Sequence, residues 1–396
     1  MKNYSYLCGK FDDMGKETNP FVVKGEIEPQ YFCDRVTETE RMVKSITNGN
    51  NLVLISPRRM GKTGLIHHCF EQPEFKDYYT FFIDILHTSG LREFTFVFGK
   101  EIFEKLLSKG KKMKKILLQT MESLRSSFGI DPMTGNPTFG LQLGDIASAD
   151  YTLEEIFQCL EQADKPCIVA IDEFQQITNY PEKNVEALLR SYIQRTKNIG
   201  FIFAGSEHHI MQEMFQTESR PFYYSAEMME LNAIKREIYV PFIVQKFEEK
   251  HRKIDKNLVE KVYDLFDGHT FYVQKTFNES FLNTPKRGIC TAKTVSESID
   301  MLLEIYSPFF KMTLSEMPEK QKELLYSISL DGAAEAITSA EFIDRHSLSS
   351  ASSVQSASKR LLERDLITKE GKEYRLTDRL FSLWIKRLHG RVYLRL

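Results

Sequence analysis

A four-residue apolar run, Leu52–Ile55, passes without a break into the loop SPRRMGKT, Ser56 to Thr63, and this junction leaves few folds open. The run is too short for a buried helix and is flanked by turn residues, so it reads as a strand buried on both faces, the kind found in parallel sheets. A parallel strand needs a crossover, and the stretch from Lys62 to about Phe70 has helical character. The same alternation recurs down the chain: a strand at 79–86 (YTFFIDIL), one or two basic amphipathic helices from Phe94 to about Phe128, a helix over 151–164, the strand CIVAID, a helix from about Val185 to Lys197 and the strand GFIFAGS. Upstream of the first strand, Thr37 is the expected N-cap of a helix reaching Asn48, with Gly49 as its stop. Thr152 and Glu155 are spaced as a capping box. Strands and helices in this order imply a doubly wound α/β domain over about residues 30–225.

With 396 residues, 42% hydrophobic and 27% charged, the chain has the composition of a globular protein of two or three domains. The strands are expected to stop after GFIFAGS. From Asn232 to about Tyr306 the pattern is helices interrupted by DGHTFY, and beyond 314 come helices near 319–330, 339–346 and 350–364, then LITK and EYRL around the turn EGKE. Three helices and a β-hairpin form the winged-helix pattern. The expected division is an N-terminal arm at 1–30, an α/β domain at 31–225, a helical lid at 226–313 and a winged helix at 314–396. The turn-rich segment 131–145 reads as a short hairpin or loop with no assigned role. Apolar runs fall well short of the ~20 residues that span a bilayer. The six cysteines are scattered without a C-x-x-C pair, and the N-terminus lacks an apolar leader, so a reduced, cytoplasmic protein is expected.

Two segments carry chemistry. SPRRMGKT matches the phosphate-loop spacing G-x-x-x-x-G-K-[ST] except at Ser56. In such a loop Ser56, Pro57, Arg58, Arg59, Met60 and Gly61 wrap the phosphates, and all of them but Pro57, which has no backbone N–H, can present one to phosphate oxygens, with a helix N-terminus behind them. Lys62 would sit between the β- and γ-phosphates, and Thr63 would offer its hydroxyl to Mg²⁺. Downstream, CIVAIDEF places Asp172 and Glu173 at a strand's carboxyl end, where α/β sheets bind ligands. Asp172 can hold the Mg²⁺ with Thr63, while Glu173 orients and deprotonates an attacking water. The expectation is an ATPase: a P-loop NTPase sheet with a helical lid and a C-terminal winged helix, binding ATP and Mg²⁺ and releasing ADP and phosphate. Ser206 would bring a hydroxyl to the γ-phosphate, or is turn chemistry. Arg220 would act as an arginine finger in its own or a neighbouring subunit of a homo-oligomer, or is a surface arginine. His208 and His209 diverge as adjacent side chains and are not expected to bind metal.

With those residues in hand, the chain resembles the archaeal-type ATPases related to AAA+ proteins, close to the signal-transducing (STAND) and origin-recognition initiator ATPases. More narrowly it resembles bacterial ATP-binding proteins that carry FCDR, SPRRMGKT and IDEFQ, over nearly its whole length. The resemblance implies that Arg35 of FCDR lies near the adenine. It also implies that GHTFYVQ, 268–274, is the lid segment that approaches the nucleotide, with Thr270 where the group has proline. A winged helix follows the lid in this group.

The output of the ATPase stays open between two partners. Between Lys359 and Leu396 eleven Lys/Arg face five Asp/Glu, a local +6 in a chain of net −2. Residues 350–396 could therefore bind double-stranded DNA, with a recognition helix from Ser350. Alternatively the protein is a nucleotide-dependent switch with a protein partner, its wing packing through Phe381, Leu383, Trp384 and Leu388. LLSKGKKMKKILLQ, 106–119, is either a second polyanion contact or a solvated helix face.

Overall fold

The computed structural model describes residues 18–25, 27–108, 111–124, 128–130 and 137–390, which fall into two compact units, one within 35–232 and one made of the described residues of 18–34 together with 233–390. The first unit runs α1 (Val36–Thr47), β1 (Leu52–Ile55), α2 (Lys62–Phe70), β2 (Tyr79–Asp84), α3 (Leu91–Leu107), α4 (Lys111–Thr120), β3 (Phe128–Ile130), β4 (Pro137–Phe139), α5 (Ala149–Glu161), β5 (Cys167–Asp172), α6 (Val185–Arg195), β6 (Ile199–Gly205), α7 (His208–Gln216) and β7 (Glu227–Glu230). Five strands form one parallel sheet in the order β2-β5-β6-β1-β7. Registers such as Ile55 beside Gly205 align the carboxyl ends of the central strands, and every residue of β1 and β5 is buried.

The sequence reading ended the sheet at β6, and β7 corrects it. EMME has two glutamates and no apolar run, because it is an edge strand with one side in solvent. Its identity comes from pairing: Glu227 N–H donates to Asn51 O at 2.8 Å and Leu231 N–H to Ile55 O at 2.8 Å. Two caps are also reassigned. Arg35, in the left-handed region with φ 69°, is the N-cap of α1, and Thr37 lies inside the helix. Thr152 and Glu155 lie within α5 and form no capping box: the Glu155 carboxylate is buried and accepts from the backbone N–H groups of Glu122 and Ser123 at 2.9 and 3.1 Å. It holds the turn after α4. The 131–145 segment begins beyond a hairpin strand: β3 pairs antiparallel with β4, while residues 131–136 lie outside the described residues. Helix α4 buries Met113 and Leu117, an amphipathic face packed on the sheet unit.

The second unit contains α8 (Arg236–Glu249), β8 (Lys253–Ile254), α9 (Lys256–Leu265), α10 (Thr270–Leu282), β9 (Ile289–Cys290), α11 (Ala292–Ser315), α12 (Glu319–Asp331), β10 (Ala334–Glu335), α13 (Ala340–Arg345), α14 (Ala351–Glu363), β11 (Ile367–Glu370), β12 (Glu373–Leu376) and α15 (Arg379–Leu388). Helices α8 to α11 and the elements from α12 to α15 share one core. Phe310 of α11 stacks on Phe381 of α15 at 4.8 Å, and Trp384 donates from Nε1 to Ser307 Oγ at 3.1 Å. Phe381, Leu383 and Trp384 are buried as expected, whereas Leu388, at the helix end, is 60% exposed and drops out of the packing face. Part of the expected arm is anchored here too. Phe21 is fully buried among Phe247, Phe277 and Phe281, and its carbonyl accepts from Asn278 Nδ2 at 2.6 Å. Among the described residues no helix is long and apolar enough to cross a membrane.

Candidate active site

The loop between β1 and α2 closes on Gly61, the N-cap of α2, at φ 100°, where a side chain would be strained. Arg59 also has positive φ, 67°. Ser56, at the position where a glycine is usual, is buried and continues the sheet: its N–H donates to Gly205 O at 3.3 Å and its hydroxyl to Pro57 O at 3.0 Å. A small side chain is accommodated there. Met60 is buried beneath the loop, while Pro57, Arg58 and Arg59 are exposed along it. Behind the loop, the first N–H groups of α2 lack intrahelical acceptors and supply positive potential. Lys62 folds back to donate from Nζ to Ser56 O at 3.1 Å. Burial pushes its ammonium below the ordinary lysine range; Asp172 and Glu173 oppose this, and Arg58 adds to it.

Facing the loop, Thr63 Oγ1 donates to Asp172 Oδ2 at 3.0 Å, and Glu173 N–H donates to Asp172 Oδ1 at 3.0 Å. Burial raises the Asp172 carboxyl above its usual range. Lys62 counters that, Glu173 adds to it, and the two hydrogen bonds counter it further. A carboxylate short of positive charge beside a hydroxyl is a pair of hard oxygen donors, which fits Mg²⁺ held partly by the protein and partly by phosphates. Among the described residues no three His, Cys, Asp or Glu cluster as a self-sufficient metal site, and His208 instead pairs with Glu230 at 3.0 Å.

Glu173 turns off the strand at φ 55° and is fixed by its side chain. Its Oε2 accepts from Ser206 Oγ at 2.7 Å and from Gln175 Nε2 at 2.6 Å, and Ser206 Oγ in turn accepts from Arg58 Nε at 3.4 Å. Lys62, Thr63, Asp172, Glu173, Ser206 and Arg58 thus meet at the carboxyl ends of β1, β5 and β6. Gln175 was not among the residues chosen from sequence. It lies buried on a 3-10 turn, Phe174–Asn179, against Gly205, where an added Cβ would fall 2.6 Å from Gln175 Oε1. The available signal was its place two residues after the glutamate.

The structure does not bring Arg220 into this group. Its guanidinium is held by Glu186 at 2.5 Å and Glu213 at 3.6 Å, on α6 and α7. Arg35 is buried at the start of α1, with Nη1 on Glu38 at 2.8 Å and Nη2 without a hydrogen-bond partner among the described residues. In the second unit, Gly268 has φ 67° against Tyr263, and Thr270 opens α10 with its hydroxyl buried and without a hydrogen-bond partner among the described residues.

Family models match two stretches: residues 32–276 match one described as "ATPase domain predominantly from Archaea", and residues 308–387 one described as "Probable winged helix domain". No curated protein matches the chain. Among solved structures, the Walker-type ATPase of Pyrococcus abyssi is similar at 17% identity and TM-score 0.65, over 93% of this chain and 99% of that one. The ORC2 protein of Aeropyrum pernix, solved in ADPNP-ADP complexes, is similar at 12% identity and TM-score 0.60, over 95% of this chain and 99% of that one. Identities this low establish a shared fold and nothing finer. The match over residues 32–276 covers more than half of the chain, and the chain belongs to the family of ATPase domains found predominantly in Archaea, here followed by a winged helix.

Proposed function

We propose that the chain binds ATP with Mg²⁺, hydrolyses it to ADP and phosphate, and works as a nucleotide-driven switch whose winged helix addresses a protein partner. The observation that carries the ATPase reading is the 3.0 Å contact of Thr63 with Asp172, whose chain neighbour Glu173 is already fixed by two donors. The loop N–H groups and Lys62 take the triphosphate, and a lysine that burial has made costly to charge gains most from an anion. Mg²⁺, when bound by Thr63 and Asp172, would neutralise charge on the phosphate oxygens. Glu173 has Oε2 committed to Ser206 and Gln175, which leaves Oε1 to take the proton of the attacking water. Through Arg58 and Ser206, the loop that meets the phosphates is linked to the base. Arg35 is proposed as a further nucleotide contact on account of its unmatched Nη2. Arg220, held by two carboxylates, is given no part in the chemistry.

A protein partner is favoured by where the C-terminal basic residues are spent. Arg375 and Arg379 share Asp267 at 3.3 and 2.9 Å, Arg387 pairs with Asp300 at 2.6 Å, and Arg360 with Glu363 at 2.8 Å. The second reading, duplex DNA on residues 350–396, rests on the exposed Ser352, Gln355, Ser356 and Lys359 of α14. The test is steady-state ATP turnover of the full chain and of Glu173→Gln, with and without duplex DNA at low and moderate salt. Turnover lost in the variant and indifferent to DNA is expected. A salt-sensitive rise with DNA would transfer the output to DNA, and no turnover in the wild type despite tight ATP binding would sink the enzyme reading.

A further inference from the structure

Helix α11 is 24 residues long, about 36 Å at 1.5 Å per residue, and buries Val295, Ile299, Leu302, Leu303, Phe310 and Leu314 in the core of its unit. Its opposite face is not polar. Met301, Ile305, Phe309 and Met312 follow one another at spacings of four, four and three and are 44, 45, 59 and 56% exposed. With 3.6 residues per turn they fall in one stripe about 80° wide. A contiguous apolar stripe bordered by charge marks an interface.

The stripe reads nearly the same from either end. In an antiparallel pair of α11 helices about a two-fold axis near residue 307, Met301 lies opposite Met312 of the second copy and Ile305 opposite its Phe309. Charge agrees with this pairing. Glu304 and Lys311 are exposed on the same flank of the stripe, and neither is in an ion pair among the described residues. Antiparallel helices bring like flanks together, so Glu304 of each copy meets Lys311 of the other; a parallel pair in register does not. We propose that α11 is the interface of a two-fold symmetric homodimer, paired antiparallel through this stripe. Four apolar side chains per copy is small beside the ~20–30 residues a side of a stable complex, so the dimer is weak and concentration-dependent.

Sedimentation velocity of the full chain across the micromolar range tests it. The mass is expected to rise toward twice the monomer, and Ile305→Glu with Phe309→Glu should hold the monomer at every concentration while leaving the thermal melt in place, since both side chains are exposed. Should that variant melt early, charge exchange decides: Glu304→Lys alone weakens the dimer, and Glu304→Lys with Lys311→Glu restores it. Orientation is read in a Cys8→Ser, Cys33→Ser background by mixing Met301→Cys with Met312→Cys protein under oxidation. Cross-links between copies should form on mixing and not in either protein alone, because two copies of residue 301 sit about 17 Å apart, beyond disulfide reach. A monomer at all concentrations, a dimer indifferent to the glutamates, or a Met301→Cys protein that cross-links to itself would each overturn the proposal.

Discussion

The charges at the carboxyl ends of β1 and β5 and the charges of the winged-helix unit are handled in opposite ways. Lys62 and Asp172 are both buried, and burial dominates both, pushing the lysine down and the aspartate up despite their mutual attraction. Their pairing does not repay their desolvation. In the other unit, Asp267 is half exposed and receives both Arg375 and Arg379, and Arg387 meets a comparably exposed Asp300. Such pairs hold elements together at little cost and little gain. A burdened cluster in a sheet crevice stores an unmet demand for a charged ligand, whereas a satisfied surface network stores none. A count of basic residues cannot tell the two apart.

The largest effect that would sharpen this contrast is at Glu173. Glu173→Gln keeps the size of the side chain and is expected to lower kcat by about 10²–10⁴-fold with ATP affinity retained, measured by turnover and by equilibrium nucleotide binding. A variant that hydrolyses ATP as fast as the wild type would remove the proton-accepting role and leave only a binding cluster.

A pH series comes next. Because the folded Asp172 binds its proton more tightly than an ordinary aspartate of pKa ~3.9, its contribution to apo stability is fullest below that value and is lost as pH rises through the raised one. Metal binding needs the carboxylate, so the affinity for MgATP runs the other way. It should weaken as pH falls through the raised value, at most about tenfold per pH unit for one proton, starting above the range of a free aspartate. Calorimetric titration from neutral to mildly acid pH checks it, and an affinity flat until the ordinary aspartate range would mean that Asp172 is not burdened.

What was legible in the sequence follows the same divide. β1, β5, β6 and the loop declared themselves because double burial forces continuous apolar runs, and because phosphate geometry fixes the spacing of Gly61, Lys62 and Thr63. β7 did not, since an edge strand is defined by the N–H and C=O groups it lends to β1 and not by its side chains. The misread cap at Thr152 and Glu155 had the right spacing in the wrong place: the carboxylate serves a turn 32 residues earlier, a partner that local pattern cannot specify. Ser206 was found by its place at a strand end, and Gln175 was missed because a glutamine on a 3-10 turn carries no periodic signature. Arg220 stays open in the sequence between an arginine finger and a surface arginine, because no local pattern shows that Glu186 and Glu213 pair with it.

That claim gives a middle-sized prediction. Arg220→Ala leaves the Glu186 carboxylate, already raised by burial, without its main cation, and should cost about 1–3 kcal/mol in a denaturant titration while kcat changes little. A collapse of kcat with stability intact would return Arg220 to the chemistry and make its ion pairs a resting arrangement.

The smallest effect bears most directly on the partner. Asp267 has φ 49°, a left-handed conformation that asparagine also tolerates, so Asp267→Asn removes a charge without disturbing the backbone. With Asp267 about half exposed, the stability lost should stay under about 1 kcal/mol. Arg375 keeps Glu373 at 2.8 Å, and Arg379 keeps the Leu376 carbonyl at 2.7 Å, so neither side chain needs to move far. One negative charge fewer beside the wing should then strengthen duplex DNA binding slightly and steepen its salt dependence by about one ion, read by fluorescence anisotropy across a salt series. If the wild type already binds duplex with a steep slope and the variant adds nothing, the winged-helix charges are not spent in cohesion. Both units would then keep their charges for a polyanion, one buried and one exposed, and the contrast between them would reduce to solvent access.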